Sequence, residues 1–196
     1  MGRAKRHLKR LQKQIDLRLG KGKAVEILQG LDDLTDSETA QECFEWASRA
    51  MERLEDKILI EDLIPIREGC ACMGVNKDSP VAKIFPELRA KHPDDDDAYL
   101  NAVAEHLTTK TGRCGDLIEY KDGKLVTNLY KPGHTQCTCA IFYRELQSPS
   151  KTWCYCCQGL LKNVYECVFP EKECHMNTIE TLAIGGANCI FETWFT

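Results

Sequence analysis

No run of roughly eighteen apolar residues occurs anywhere in the chain, so no membrane-crossing helix is expected. The basic opening MGRAKRHLKRLQKQ lacks the apolar stretch of a secretory signal, and Arg6 breaks the myristoylation pattern. A cytoplasmic location is the expectation. Also missing are the glycine-rich phosphate loop, the dinucleotide fingerprint, the His-Glu-x-x-His zinc helix and the nucleophile elbow. Nucleotide-dependent and standard metallohydrolase chemistry therefore have no residues to rest on. There is no repeat at a solenoid period. The one biased tract, Asp94–Asp97, lacks the glycine and spaced oxygens of a calcium loop and reads as a solvated helix start.

What is present is an ordinary globular composition, 43% apolar and 29% charged over 196 residues. That length suits one domain with a helical extension, here a helical region over 1–66 and a cysteine-rich α+β domain over 67–196. The net charge of −4 is unevenly spread. Residues 1–23 carry nine Lys/Arg against Asp16 alone, which leaves the remainder with 17 bases and 29 acids. Leu8, Leu11, Ile15 and Leu19 draw an apolar seam along the basic segment. The seam favours docking on the acidic body, or a homodimer through this N-terminal helix, over nucleic-acid binding.

Twelve cysteines are well above average usage. In a reducing compartment they point to metal binding or reactivity rather than disulfides, and the adjacent pair Cys156-Cys157 opposes pairing on geometric grounds. Six of them fall between Pro132 and Phe169, as Cys137-Thr138-Cys139, Cys154-Tyr155-Cys156-Cys157 and Cys167. Ser148-Pro149-Ser150 supplies capping hydroxyls, and Cys157, Leu160, Leu161, Val164 and Val168 recur at helical spacing. The second group is thus expected in the first turn of a helix, where free N–H groups and the helix dipole favour thiolate over thiol. Cys154 and Cys157 share a face there, whereas Cys156 diverges. Cys137 and Cys139 share a face if extended, and Cys70 and Cys72, bracketed by Gly69 and Gly74, match them in form.

The rest of the chain reads as helices followed by strands. Helices are expected over about 4–19 and 23–29, then from a capping box at Thr35 and Glu38 through Ala40, Cys43, Phe44, Ala47, Met51, Leu54 and Ile58. That stripe continues through Ile64 until Pro65 kinks or breaks it. Two further helices are expected at Ser79–Lys91, with Pro80 at its first position, and at Asp94–Lys110. A hairpin turning at Asp122-Gly123 follows Gly112, and a second pairs Thr178–Ile184 with Cys189–Phe195. The fold class is therefore α+β, with N-terminal helices and a β-β-α-β-β unit whose hairpins share one antiparallel sheet.

The thiols carry three alternatives. Cys137, Cys139, Cys154 and Cys157 are the four-thiolate set for zinc, with Cys70, Cys72 and Cys156 as substitutes or ligands of a larger site. An iron–sulfur cluster is the rival occupant, although the bacterial ferredoxin run is absent. Cys154 is the candidate nucleophile of a thiol-dependent enzyme, with His134 or His175 as base. Neighbouring thiols also suit a redox switch. Cys167 and Cys189 read as core residues, and Cys174-His175 as a solvent-facing loop pair.

Taken in order, GCACMG (69–74), CTC (137–139), WCYCCQGLLKNVYE (153–166) and GGANCIFETWF (185–195) resemble a group of uncharacterised cysteine-rich bacterial and archaeal proteins. These are similar to the aminothiazoline-carboxylate hydrolase family and to the vinyl-reductase-type small-molecule-binding domain. The resemblance to the latter implies helices on an antiparallel sheet, a ligand pocket between them, zinc-binding cysteines, and service as a ligand sensor or assembly factor. The hydrolase relatives imply opening of a small sulfur–nitrogen ring.

Overall fold

The computed structural model describes residues 2–31, 39–71, 75–111, 114–131, 133, 137, 139 and 150–196. Those residues form seven α-helices and a four-stranded antiparallel sheet, the α+β class expected. No helix among them is long and apolar enough to cross a membrane. The chain divides into two compact units, each discontinuous in sequence. The first comprises Met1–Cys72, Gln136–Gly159 and Ala183–Gly185; the second comprises Met73–Thr135, Leu160–Leu182 and Gly186–Thr196.

In the first unit, α1 (Arg3–Leu19) buries Ala4, Leu8, Leu11 and Ile15, at helical spacing, against α2 (Lys23–Ile27), α3 (Ala40–Lys57) and α4 (Ile60–Glu68). The seam thus docks on its own chain. Asp16 ends α1 and starts α2: its Oδ1 accepts from the N–H groups of Gly22 (3.1 Å) and Ala24 (2.9 Å). The capping box expected at Thr35 and Glu38 lies outside the described residues. The box that starts α3 is the same motif four residues on, with Glu42 N–H donating to Thr39 Oγ1 (3.2 Å) and Thr39 N–H to Glu42 Oε2 (2.6 Å). Besides the expected stripe, α3 buries Trp46 and Ala50, and Trp46 Nε1 donates to Leu31 O.

Pro65 does not end that stripe. The break falls earlier, where Ile58 and Leu59 turn extended (ψ 130° and 148°), and α4 then runs through Pro65 to Glu68. The extended pair redirects the chain so that Leu63, Ile66, Arg67 and Cys70 form the buried face of a new helix. Pro65 thus lies inside α4, where it has no N–H to donate to the Glu61 carbonyl.

In the second unit the helix expected from Ser79 begins instead at Phe85, as α5 (Phe85–Lys91). A continuous helix would drive the Pro86 ring into the Ala82 carbonyl. The Ser79 hydroxyl is used in a turn, accepting from Asn76 N–H at 3.0 Å, and Pro86 takes the tolerated place in the first helical turn. α6 (Asp96–His106) is capped by Asp95, whose Oδ1 accepts from Ala98 N–H, and runs on into a π-helical turn over Leu107–Thr111.

The sheet order is β1-β2-β4-β3, with β1 (Leu117–Lys121), β2 (Lys124–Asn128), β3 (Cys174–Glu180) and β4 (Ile190–Phe195). The first hairpin turns where expected. Asp122 and Gly123 both have positive φ (51° and 77°), which the tight turn demands and Gly supplies without strain. The second hairpin starts earlier than expected, because Cys174 and His175 are already paired with Phe195 and Trp194. The His175 ring stacks on Trp194 at 5.5 Å, and that cross-strand contact extends β3 into what the sequence suggested was loop. Cys174 is buried rather than solvent-facing.

Aromatic contacts fill the second unit. Phe169 meets Tyr99 (5.1 Å) and Phe195 (5.0 Å) edge to face, and at the end of α7 (Tyr155–Tyr165) the Tyr165 hydroxyl lies 2.5 Å from Thr127 Oγ1 of β2. At the rim, Asp96 bridges Lys172 and Arg89, each at 2.7 Å. The Lys172 hydrogen bond, with help from Arg89, holds its carboxyl below the usual range. A folded-state pKa depressed in this way stabilises above the unfolded value and stops doing so as pH falls through the folded one. Asp96→Asn should therefore lower the urea midpoint modestly at pH 7, by under about 1 kcal/mol given the exposure of the pair, and leave it unchanged near pH 2. An equal loss at both pH values would rule out a charge effect.

Candidate metal centre

Six of the cysteines named from sequence lie in, or pack against, the apolar core of the first unit. Cys70 follows the C-terminus of α4, fully buried, and its Sγ–H donates to Ile66 O at 3.3 Å. Ser150 starts the second cysteine group: its Oγ accepts from Trp153 N–H (3.2 Å) and caps a 3₁₀ turn over Lys151–Cys154 that leads into α7. Cys154 thus lies at the entry to the helix, as its spacing predicted. Cys154 and Cys156 are both buried in the apolar core of the first unit, with Cys157 half-buried against it.

Cys137 and Cys139 are half-buried against that cluster too. Cys139 N–H donates to Cys137 Sγ at 3.4 Å. Six of the seven cysteines named as metal ligands therefore belong to one cluster drawn from three stretches of chain, 70, 137–139 and 154–157. Cys72 lies outside the described residues. So does His134, one of the two candidate bases. The other, His175, belongs to the second unit, where its Nε2 is 2.8 Å from Thr196 Oγ1. Among the described residues, no group of three or more His, Cys, Asp or Glu side chains is arranged to hold a metal ion.

Helix packing brings the segments together. Gly159 of α7 rests on the backbone of Glu68: a Cβ there would sit 2.1 Å from Glu68 O and 2.5 Å from its Cα. Only glycine permits this approach, which sets the end of α4, with Cys70 just beyond, against the helix that carries Cys156 and Cys157. Buried Gln158 fastens the crossing by donating from Nε2 to Glu68 Oε1 at 2.7 Å. Thr152 adds a bond of 2.5 Å to Glu55 of α3.

Two functional neighbours escaped the sequence reading. Arg67 is 1% exposed, lays its guanidinium 4.2 Å over the Trp153 ring, and donates from Nη2 to Trp153 O at 2.8 Å. His7 of α1 is buried with its ring 5.9 Å from the same indole. Each had a signal. Arg67 falls in phase with Leu63, Ile66 and Cys70, and His7 in phase with Ala4, Leu8 and Leu11, so each is a polar residue at a core position.

Of the remaining described cysteines, Cys43 is buried in α3 of the first unit and the others are in the second unit. Cys189 is buried and its Sγ accepts from Leu182 N–H (3.4 Å). Cys167 is half-buried rather than core, donates to Asn163 O, and burial raises its thiol pKa, which keeps it protonated and unreactive. An open groove of about 640 Å³ in this unit is lined by His92, Asn101, Glu105, Ile118, Glu119 and Tyr120. Tyr120 O–H donates to the Asp97 carboxylate, which with partial burial pushes its pKa up to about 12.

A helical unit gathering thiols from distant stretches, together with an α+β sheet unit, defines this as a cysteine-rich α+β protein. The chain belongs to the family of unknown function DUF6144, whose profile matches residues 4–194. No curated protein and no solved structure matches it.

Proposed function

We propose that this is a cysteine-rich metal-binding protein that holds zinc through thiolates of its first unit. The observation that supports this reading is that Cys70, Cys154 and Cys156 lie in the apolar core of the first unit, with Cys137, Cys139 and Cys157 packed against it. Zinc suits them because it accepts four sulfur ligands without redox chemistry and without a preferred d-electron geometry. Cys137, Cys139, Cys154 and Cys157 are the ligand set, with Cys70, Cys72 and Cys156 available to complete or enlarge it. Thiols kept for metal also suit a reducing, cytoplasmic setting. The ligand-binding role implied by the resemblance to vinyl-reductase-type domains is assigned to the groove that includes His92 and Tyr120, and concerns the second unit only.

Burial weighs against the thiol-hydrolase alternative. Cys154, its candidate nucleophile, is only 6% exposed, which leaves little approach for a substrate. Elemental analysis of protein purified anaerobically without added metal, with its visible spectrum, is the test. About one zinc per chain and no colour is the expected result. Iron with sulfide and a brown colour would replace zinc by an iron–sulfur cluster, and no metal at all would overturn the reading.

A further inference from the structure

The apolar seam of α1 faces inward, so the charge that accompanies it in sequence faces out. Arg6, Lys9, Lys13 and Leu17 recur at i, i+3, i+7 and i+11, on the side of the helix opposite Leu8, Leu11 and Ile15, and all four are exposed. Beyond Leu19 the chain turns, and Asp16 Oδ1 ties the N–H groups of Gly22 and Ala24 to the end of α1. The residues that follow the two ends of this tie, Leu17 and Val25, are 69% and 71% exposed, more than any other large apolar side chain described. Arg18, Lys21 and Lys23 stand between them in sequence and are exposed as well. Among the described residues Lys9, Lys13, Arg18 and Lys21 join no ion pair, so no described carboxylate uses their charge.

We propose that the outer face of α1 and its turn into α2 form a peripheral docking surface for an anionic lipid bilayer. Lysine and arginine attract the phosphate and carboxylate groups of lipid heads, and about four to eight of them on one helix are the electrostatic footprint of that contact. Leu17 and Val25 add aliphatic side chains that leave water by entering the boundary between headgroups and acyl chains. This pairing of charge with exposed aliphatics favours a bilayer over nucleic acid, which offers a basic helix phosphate, sugar and bases but no hydrocarbon. A second copy of the chain fits worse, because a two-fold contact through this face would set like charges against each other. The whole chain carries −4, so attraction to an anionic surface has to come from this local patch. With no described helix able to span and only two side chains to insert, attachment is reversible and weakens with salt.

The test is co-sedimentation of the full-length, reduced chain with vesicles of phosphatidylcholine alone and of phosphatidylcholine mixed with phosphatidylserine. Wild type should sediment with the mixed vesicles only, and added salt should release it. Lys9→Gln combined with Lys13→Gln should weaken partitioning about 30-fold, at the roughly fivefold that each base contributes near an anionic surface. Leu17→Ser combined with Val25→Ser should weaken it about tenfold or more and leave the salt dependence in place. All four side chains are exposed, so the urea midpoint of either double variant should match that of wild type. No sedimentation with the mixed vesicles, or equal sedimentation with both kinds, overturns the proposal. It is overturned equally if the Leu17→Ser, Val25→Ser chain binds as tightly as wild type, or if wild type retains a double-stranded DNA probe and ignores vesicles. Either of those results marks a surface for polyanions in general rather than for a bilayer.

Discussion

Gly159→Ala should destabilise the protein by about 3 kcal/mol or more. On an isolated helix the same change would gain about 1 kcal/mol, since alanine is the better helix former. Here the added methyl meets the Glu68 backbone at 2.1 Å, far inside any contact a Cβ makes. Backbone cannot rotate aside as a side chain can, so α4 and α7 must separate, at a cost at or above the usual 1–3 kcal/mol of overpacking. The collision outweighs the propensity, and the sign of the effect decides whether the crossing exists. Gly69→Ala is the control, because its Cβ would meet the Gln14 side chain, whose nearest atom is the terminal Oε1 at 2.2 Å. That side chain can swing away, so the loss should be much smaller. Urea unfolding of the two variants checks this, and a Gly159→Ala protein as stable as wild type would mean that the two helices do not touch.

On the zinc reading proposed above, removing the metal should have the larger effect. A structural zinc contributes on the order of 10 kcal/mol, comparable with the whole stability of a domain. Stripping it with a strong chelator under reducing conditions should therefore expose the amides of α1, α3 and α4 to hydrogen exchange, with the largest losses in the first unit. The tryptophans offer a second readout. Trp46 and Trp153 pack edge to face at 6.5 Å inside that unit, so their near-ultraviolet dichroism should collapse with the metal and return when zinc is restored. Protection and dichroism that survive complete removal of zinc would show that the cluster stands on apolar packing alone.

The α+β class, the antiparallel sheet, the Asp122-Gly123 turn and the placement of Cys154 at a helix entry were legible without coordinates. Each rests on local chemistry: period-2 or helical alternation, a turn needing positive φ, a hydroxyl that caps. Where the sequence misled, two local signals competed and packing chose between them. Pro65 promised a break that came instead at Ile58-Leu59, and Ser79-Pro80 promised a helix start that Pro86 moved to Phe85. His175 looked like loop until its stacking on Trp194 drew it into β3.

By itself, then, the sequence determined the α+β class, the turn at Asp122-Gly123 and the spacing of the cysteines along the chain, since each is written residue by residue. Only the tertiary structure decided that Cys70, Cys154 and Cys156 share the apolar core of the first unit, with Cys137, Cys139 and Cys157 packed against it, and that Arg67 is buried over Trp153. The reason is that both facts depend on contacts between residues far apart in the chain, above all the crossing of α4 and α7 at Gly159, where a hydrogen atom stands in the space a methyl would need.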